Sequence, residues 1–317
     1  MKKLLCIIMA AAMVITLAAC GNTQKTDETA AQTEAVSESQ KPTETTVTEK
    51  ETKAVRDPDA VYEYETREIW CENNGNRIYG VAYIPIIEGV SKFPLVIHSH
   101  GLGSNHEAGE GFCKRYAEKG FAGYTFDFPG GSKPSNENRS DGDPMQMSAV
   151  TEASDLQKIL DTALTWDFVD KDYVFLEGGS QGGLVSTMVA LDNKDKVRGM
   201  ILMYPALTMA EAVSGRYSSP EDVPQTISFG DDYQLGSKFV TDLFGVEVMS
   251  RLNTFDGNVI MIHGSDDKLV SVSVSEQALK LFPNAELHVI EGAGHGFGGD
   301  DFDKAAEFAI DYLFKNT

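Results

Sequence analysis

The first regular feature of the sequence is a pair of β-rich segments separated by a turn. Residues 65–72 (ETREIWCE) and 77–85 (RIYGVAYIP) are rich in β-branched and aromatic residues, and residues 73–76 read Asn-Asn-Gly-Asn. Asn-Gly between two such segments is a strong signal for a hairpin. The sequence therefore predicts an antiparallel β-hairpin at the start of the fold.

After the hairpin, short apolar runs alternate with segments in which apolar residues recur at helical spacing. Such runs are typical of strands buried on both faces of a sheet. Strands are predicted over residues 94–100, 121–128, 173–177, 197–204, 258–263 and 285–290. Helices are predicted over 106–119, 150–166, 181–191 and 302–315, with one more between a capping box at 273–276 and Pro283. The alternation predicts an α/β fold, with a mostly parallel sheet and helices on both of its faces.

The helix predicted over residues 150–166 shows which of its faces is apolar. Its apolar residues are spaced three or four positions apart, as on one side of an amphipathic helix. They are Val150, Ala153, Leu156, Leu160 and Leu164.

Residues 206–254 break the alternation of strands and helices. The segment is polar, contains glycines and prolines, and takes the place of one crossover. We interpret it as a small cap inserted over the C-terminal edge of the sheet. Its aromatic residues either form the core of the cap or line an apolar acyl or aryl site; they are Phe229, Tyr233, Phe239 and Phe244.

Residues 1–19 have the composition of a secretory signal, with Lys2 and Lys3 before an apolar run that ends in small residues. Residues 17–20 read Leu-Ala-Ala-Cys and resemble the lipobox of a bacterial lipoprotein. The resemblance implies cleavage before Cys20 and diacylation of that cysteine, and two acyl chains hold a protein stably at a membrane. We therefore expect a lipid-anchored protein on the extracytoplasmic face of the cell membrane. The alternative is a soluble secreted protein with an alanine-rich cleavage site.

The composition of the segment that follows the signal predicts a disordered tether over residues 20–56. The stretch from 21 to 56 is rich in Thr, Glu, Lys, Gln, Ala and Ser and has no aromatic residue. Such a composition buries too little apolar surface to offset the entropy of ordering. Residues 57–317 remain, which is a suitable length for one α/β domain that includes the cap.

The net charge of the 317-residue chain is −21. A surface this acidic argues against nucleic acid as a partner and against electrostatic docking on anionic lipid. Membrane attachment would therefore depend on the lipid anchor. The predicted domain contains two cysteines, Cys71 and Cys113, which an extracytoplasmic location permits to form a disulfide but does not require to.

The stretch VFLEGGSQGGLVS (174–186) places Ser180 between a predicted strand and a predicted helix. It contains a G-x-S-x-G motif, in which the serine occupies a strained turn and points above the edge of the sheet. The glycines are needed because a Cβ there would collide with the neighbouring strand and helix. Ser180 is therefore the candidate nucleophile, and the alternative is an ordinary tight turn.

A serine nucleophile needs a base, and the chain has six histidines. His295 lies in a glycine-rich loop after the last predicted strand, where its side chain can reach the C-terminal edge of the sheet. We favour His295. His288 lies inside a strand, and His100 and His263 each precede a glycine at a strand end.

The base in turn needs a carboxylate to orient it and to stabilise its charged form. Asp266 and Asp267 follow the strand over 258–263, and we prefer Asp267. The alternative is that both aspartates only cap the turn. The resulting order is Ser180, Asp267, His295.

Two backbone N–H groups are the candidates for an oxyanion hole. Gln181 follows the nucleophile, and Leu102 lies in the loop after the strand over 94–100. A competing hypothesis makes His98 and His100 metal ligands, but a third ligand is hard to name. We expect no cofactor and no metal.

These motifs resemble those of the α/β-hydrolase family over residues 60–315, nearly the whole predicted domain. They comprise His100-Gly101-Leu102-Gly103, Gly178–Gly182, the H-G-x-x-D-x-x-V pattern from His263 to Val270, and Gly294-His295-Gly296. The spacing of the third motif supports Asp267. The resemblance implies the α/β-hydrolase fold and a serine esterase, and the short cap is similar to that of bacterial cinnamoyl or feruloyl esterases and related acyl esterases.

Two features bear on how far the resemblance extends: the nucleophile, and the stretch after the fourth strand. The loop Gly-Ala-Gly-His-Gly-Phe is also similar to dienelactone hydrolases, whose nucleophile is cysteine where this chain has Ser180. Many members have Gly-His-Gly-x-Ser after the fourth strand, and this chain has Phe-Pro-Gly-Gly-Ser at 128–132. The contribution of that histidine is therefore missing.

The function predicted from the sequence is hydrolysis of small-molecule carboxylic esters through an acyl-enzyme. An oligopeptidase-like amidase is the first alternative, although such enzymes usually carry an extra N-terminal domain in place of a tether. A non-catalytic surface-binding lipoprotein is the second, but no member of the candidate triad is lost.

Overall fold

An eight-stranded mixed sheet forms the centre of the computed structural model, which describes residues 56–229 and 233–317. Its strands are β1 (Tyr64–Asn73), β2 (Asn76–Pro85), β3 (Phe93–Ser99), β4 (Ala122–Phe126), β5 (Val169–Gly179), β6 (Gly199–Met203), β9 (Asn258–Gly264) and β10 (Ala285–Ile290). They lie in the order β1-β2-β4-β3-β5-β6-β9-β10. The predicted signal sequence, Cys20 and the tether up to residue 55 lie outside the described residues.

The predicted N-terminal hairpin and the mostly parallel sheet are confirmed. β1 pairs with β2 and β2 with β4 in antiparallel fashion, and all the other neighbours in this sheet are parallel. Asn74 and Gly75 form the hairpin turn with φ of 50° and 82°. Positive φ at both central residues matches the twist of the flanking strands, and this is why Asn-Gly is favoured there.

Helices cover both faces of the sheet. They are α1 (Glu107–Glu118), α2 (Ala149–Ala163), α3 (Gln181–Asp192), α6 (Ser273–Leu279) and α7 (Asp300–Lys315). Val96 packs in one apolar cluster with α1 and α7, whereas its neighbours Leu95 and Ile97 pack in another with α2, α3 and α6. Successive strand residues point to opposite faces, so a continuous apolar run supplies both layers.

The segment between β6 and β9 is the one that the sequence led us to interpret as a cap. It contains α4 (Met209–Ser214), β7 (Thr226–Phe229), β8 (Tyr233–Gly236) and α5 (Lys238–Thr241), with β7 and β8 paired antiparallel. The four cap aromatics named from the sequence pack in one apolar cluster of their own, together with Met147 and Leu102. They therefore form the core of the cap, and Leu102 joins that core to the loop after β3.

The apolar face predicted for α2 is partly wrong. Val150 is 36% exposed, while Glu152 and Asp155 are buried beside Leu156 and Leu160. The helix is turned so that two carboxyl groups face inward, and spacing of apolar residues alone could not reveal this. Its N-terminus is capped by Ser148.

The capping box predicted at Ser273 is wrong. Ser273 is already the first residue of α6, and Val272 precedes it without a side-chain cap. Ser271 Oγ accepts a hydrogen bond from Ser273 N instead. The helix therefore begins at Ser273 without a side-chain cap, and Ser271 makes only a local bond in the turn before it.

Cys71 and Cys113 are both buried and are free thiols.

Across residues 56–229 and 233–317, no helix is long and apolar enough to cross a bilayer.

Candidate active site

Ser180 lies at the turn between β5 and α3. Its φ of 54° and ψ of −119° are unusual for a residue with a Cβ, so the turn is strained. Backbone hydrogen bonds hold it in place: Ser180 N donates to Met203 O at 3.0 Å, and Ser180 O accepts from Ala206 N at 3.0 Å. A strained serine between a strand and a helix is the geometry expected of a G-x-S-x-G nucleophile.

The glycines around Ser180 are required by close packing. A Cβ at Gly178 would lie less than 3.0 Å from Gly182 O, and a Cβ at Gly182 less than 3.0 Å from Ser99 O. Helix α3 therefore starts directly against β5 and the end of β3. This close approach explains why the turn contains more glycines than an ordinary strand-to-helix connection.

Asp267 and His295 form a hydrogen-bonded pair. His295 Nδ1 lies 2.7 Å from Asp267 Oδ2, and Asp267 Oδ1 accepts from the N–H groups of Leu269 at 2.8 Å and Val270 at 2.9 Å. Burial acts to raise the pKa of Asp267, but the hydrogen bonds from His295, Val270 and Leu269 outweigh it and lower the pKa. Asp267 is therefore held as a carboxylate against the imidazole.

The neighbouring Asp266 lies elsewhere. It is exposed, whereas Asp267 is 7% exposed. Of the two aspartates left open by the sequence, the structure brings Asp267 to His295.

Tyr204 lies between His295 and the serine turn, and sequence reasoning did not single it out. Its ring centroid is 4.8 Å from that of His295, and its hydroxyl is 3.1 Å from the position that a Cβ on Gly179 would take. Within the described residues, no hydrogen bond joins Ser180 Oγ to His295. Such hydrogen bonds are often long without substrate and tighten when it binds.

The two candidate oxyanion donors lie on segments that meet at Ser180. A Cβ on Gly101 would be 3.3 Å from Ser180 Cβ, so the loop with Leu102 packs on the serine turn. Neither the Leu102 N–H nor the Gln181 N–H donates to another group in the described part of the chain. Both are thus available to a negative oxygen.

His100 holds the loop that carries Leu102 by two hydrogen bonds. Its Nδ1 donates to Gly101 O at 2.8 Å, and its Nε2 accepts from Phe128 N at 3.0 Å. Burial lowers the pKa of His100 to about 4, so the ring is neutral. Since both ring nitrogens are used, His100 has none free for a metal ion, and His98 pairs with Glu177 instead.

The remaining histidines have partners of other kinds. His263 is buried with Nδ1 2.8 Å from Ser275 Oγ, and its Nε2 lies 3.3 Å from Asp267 Oδ2. His106 pairs with Asp127 at 2.7 Å. His288 lies on the edge strand β10 against Phe308, with ring centroids 4.3 Å apart.

A buried glutamate beside the candidate oxyanion hole also escaped the sequence analysis. Gln181 Nε2 donates to Glu152 Oε2 at 2.7 Å. Burial raises the pKa of Glu152 to about 8. A Glu in an amphipathic helix is normally solvated, so the sequence carried no signal for this contact.

Comparisons with known proteins agree with this architecture. The family described as the prolyl oligopeptidase family matches residues 113–316. A non-heme chloroperoxidase, CPO-A1 of Kitasatospora aureofaciens, is 35% identical over 65 residues, which are 20% of this chain and 24% of that protein. The match therefore spans about a quarter of that relative.

Solved structures share the fold over most of their length. Est1E from Butyrivibrio proteoclasticus, in a structure with bound ferulic acid, has a TM-score of 0.71 and 22% identity and covers 78% of this chain and 98% of its own. The α/β-hydrolase GrgF from Penicillium sp. sh18 has a TM-score of 0.62 and 16% identity, with coverage of 80% and 98%. The fold is the α/β-hydrolase fold that the motifs predicted.

Proposed function

The chain belongs to the prolyl oligopeptidase family of α/β-hydrolases, and on that premise we propose that it is a serine hydrolase that cleaves carboxylic esters. The reaction passes through an acyl-enzyme on Ser180, and the chemistry needs no cofactor. The substrate is a small-molecule ester.

Ser180 Oγ attacks the acyl carbonyl carbon while His295 Nε2 takes the hydroxyl proton. The N–H groups of Leu102 and Gln181 stabilise the negative oxygen that forms. His295 then gives the proton to the departing alkoxide, which leaves as an alcohol. A water molecule next attacks the acyl-enzyme and loses a proton to His295, which passes it to Ser180 Oγ as the acid departs. Asp267 holds His295 through Nδ1 and stabilises the imidazolium.

The contact of 2.7 Å between His295 Nδ1 and Asp267 Oδ2 carries the proposal. It leaves Nε2 as the imidazole nitrogen that can serve as a base. The strained turn at Ser180 is the second support, because such strain needs compensation and clusters at functional sites.

An oligopeptidase-like amidase is the second candidate, and the family match favours it. The same residues would form the acyl-enzyme, but His295 would protonate an amine leaving group. Esters and amides with the same acyl group therefore separate the two candidates.

The test is turnover of a series of p-nitrophenyl esters of rising chain length, methyl ferulate and an aminoacyl anilide. Methyl ferulate is included because Est1E, which has a similar fold, binds ferulic acid. The proposal expects ester turnover that is lost in Ser180→Ala. Ser250→Ala is the matched control, since Ser250 is exposed and, within the part of the chain that the structure describes, its hydroxyl hydrogen-bonds only to Glu247.

The two other outcomes would each contradict the proposal in a defined way. Faster turnover of the anilide than of any ester would replace the esterase with the amidase. An absence of turnover in the wild type, with the protein folded, would favour a non-catalytic lipoprotein that binds at the cell surface.

We also propose that the protein is attached to the membrane through a diacylated Cys20, on the extracytoplasmic face. The Leu-Ala-Ala-Cys sequence at 17–20 supports this. Wild-type protein should enter the detergent phase of a Triton X-114 partition, and Cys20→Ser should remain in the aqueous phase. Equal partition of the two proteins would contradict the anchor.

A further inference from the structure

Glu152 is a buried carboxyl group in contact with the residue after the candidate nucleophile. It projects from α2, is 1% exposed, and its Oε2 accepts a hydrogen bond of 2.7 Å from Gln181 Nε2. The other amide atom of Gln181, Oε1, is buried without a partner among the described residues. Gln181 Nε2 also lies 4.0 Å from Met147 Sδ, a weak acceptor, so Glu152 provides the stronger of the two contacts that hold the Gln181 side chain.

The second oxygen of Glu152 faces the loop that supports the other oxyanion donor. Glu152 Oε1 is 3.1 Å from the position that a Cβ on Gly131 would take. Gly131 O accepts from Gly103 N, the residue after Leu102, at 3.0 Å. The carboxyl group thus lies between Gln181, which carries one N–H donor, and Gly131, whose carbonyl holds the loop that carries the other.

The cap also contacts Gly131 and Gly103, through Tyr233. Tyr233 OH donates to Gly131 O at 3.0 Å, and the Tyr233 ring is 3.3 Å from the position of a Cβ on Gly103. Gly131 O therefore receives hydrogen bonds from both the loop after β3 and the cap. A displacement of Gly131 would be transmitted to Leu102.

We propose that Glu152 is a positioning residue for the oxyanion hole, which holds Gln181 directly and the Leu102 loop through Gly131. This inference rests on the proposed function, because it assigns Glu152 a role through the two donors named there. Glu152 itself does not touch the substrate in this proposal.

Whether Glu152 supports or opposes the oxyanion depends on its protonation state. Burial raises its pKa to about 8, the hydrogen bond from Gln181 acts in the opposite direction, and the charge of Asp155 raises it further. Asp155 lies on the same helix, and burial raises its pKa to about 6. From the cap, Tyr233 faces Glu152 and stays protonated because burial raises its pKa. From α3 the facing group is the uncharged amide of Gln181.

Glu152 is consequently a neutral acid at pH 7 and gains a negative charge in alkaline solution. A buried negative charge in contact with Gln181, whose N–H is one of the two donors, opposes the negative oxygen that they stabilise. The arrangement therefore supports catalysis at neutral pH and should lose rate above about pH 8, where the carboxyl ionises.

The test uses the rate at which a fluorophosphonate probe labels Ser180, since the phosphoryl oxygen occupies the oxyanion hole. The purified full chain is compared with Glu152→Gln, Glu152→Leu and Asp155→Asn from about pH 6 to about pH 10. Glu152→Gln keeps an acceptor for Gln181 Nε2 but cannot ionise. Asp155→Asn is the matched control, because Asp155 is a second buried acid on α2 and accepts its hydrogen bond from Asn73 Nδ2.

We expect Glu152→Leu to lower the maximal labelling rate at least about tenfold at pH 7 with little change in probe affinity, because the donors are displaced. Glu152→Gln should label within about threefold of the wild type at pH 7 and should lack its fall in rate above about pH 8. Asp155→Asn should retain that fall.

Failure of the two proposals gives different results. A wild type that the probe does not label at Ser180 contradicts the proposed function. Normal labelling of Ser180 with unchanged rates in a folded Glu152→Leu variant overturns only the role of Glu152. If Glu152→Leu does not fold, as judged by circular dichroism, Glu152→Gln decides: an alkaline fall equal to that of the wild type overturns the inference.

Discussion

Asp267 accepts hydrogen bonds on both of its carboxylate oxygens. Oδ1 receives two backbone N–H groups from the turn that follows, and Oδ2 receives His295. His263 Nε2 lies 3.3 Å from Oδ2 as well, while it bonds to Val270 O at 2.9 Å. The carboxylate is thus fixed in orientation before any substrate arrives, and it fixes the imidazole in turn.

Replacement of Asp267 should therefore lower kcat far more than replacement of Asp266. We expect Asp267→Asn to lower kcat for an ester about a thousandfold or more, because an amide can favour the wrong imidazole tautomer. The exposed Asp266→Asn should change kcat less than about twofold. Steady-state kinetics on the two variants measures both effects, and similar losses in the two would count against Asp267.

The titration of Glu152 also predicts how stability depends on pH. Its pKa is raised from 4.5 to about 8 by burial, so between these values the folded protein keeps a proton that the unfolded chain has lost. The free energy of unfolding should fall as the pH rises through this window, by up to about 1.4 kcal/mol per pH unit. Glu152→Gln should remove this slope.

Urea unfolding of both proteins at several pH values between about 5 and 8 measures the difference. Asp155→Asn is again the control. Its pKa is raised only to about 6, so its removal should flatten only the acidic part of the window. A slope between about pH 6 and 8 that is as steep in Glu152→Gln as in the wild type would contradict the assignment; a residual slope is expected from His106, whose pKa is raised by Asp127.

Among the helices and strands, those with strong local patterns were predicted most accurately. β10 has the predicted bounds, and the hairpin turn lies at the predicted Asn-Gly. The orientation of α2 was not predicted, because its inward carboxyl groups depend on contacts distant in sequence: Glu152 meets Gln181, and Asp155 meets Asn73. Periodicity of apolar residues carries no information about such partners.

The contact between α3 and the sheet gives a prediction for the glycines. Gly182→Ala should lower the free energy of unfolding by about 1–3 kcal/mol, because its Cβ would collide with the backbone of Ser99 and His100. Gly298→Ala, where nothing lies within 4 Å, should change it by less than about 0.5 kcal/mol. Chemical denaturation compares the two, and equal effects would contradict the close approach.

Over the whole protein, the three residues of the candidate triad come from loops at the carboxyl ends of three strands in one sheet. The sequence could predict that all three lie at one edge of the sheet, because the carboxyl ends of parallel strands share an edge. It could not predict the contact of Tyr204 with His295, the packing of Leu102 against the cap, or the bond from Tyr233 to Gly131, since these join segments that have no common local pattern.

The two buried cysteines should be protected from modification as long as the whole protein is folded. Cys71 and Cys113 are free, and burial raises the pKa of both thiols, Cys113 well above its ordinary value. Iodoacetamide should therefore modify neither peptide in the native protein and both after denaturation without reductant, as read by mass spectrometry. Modification that requires a reductant would reveal a disulfide.

The position of β10 at the outer edge of the sheet has a consequence for biosynthesis. This strand pairs only with β9 in the sheet, and the loop that follows it carries His295. The proposed base is thus added to the site more than 100 residues after Ser180 as the polypeptide emerges. A nascent chain that stalls before this point would display the serine without its base, and so would stay inactive until His295 has emerged.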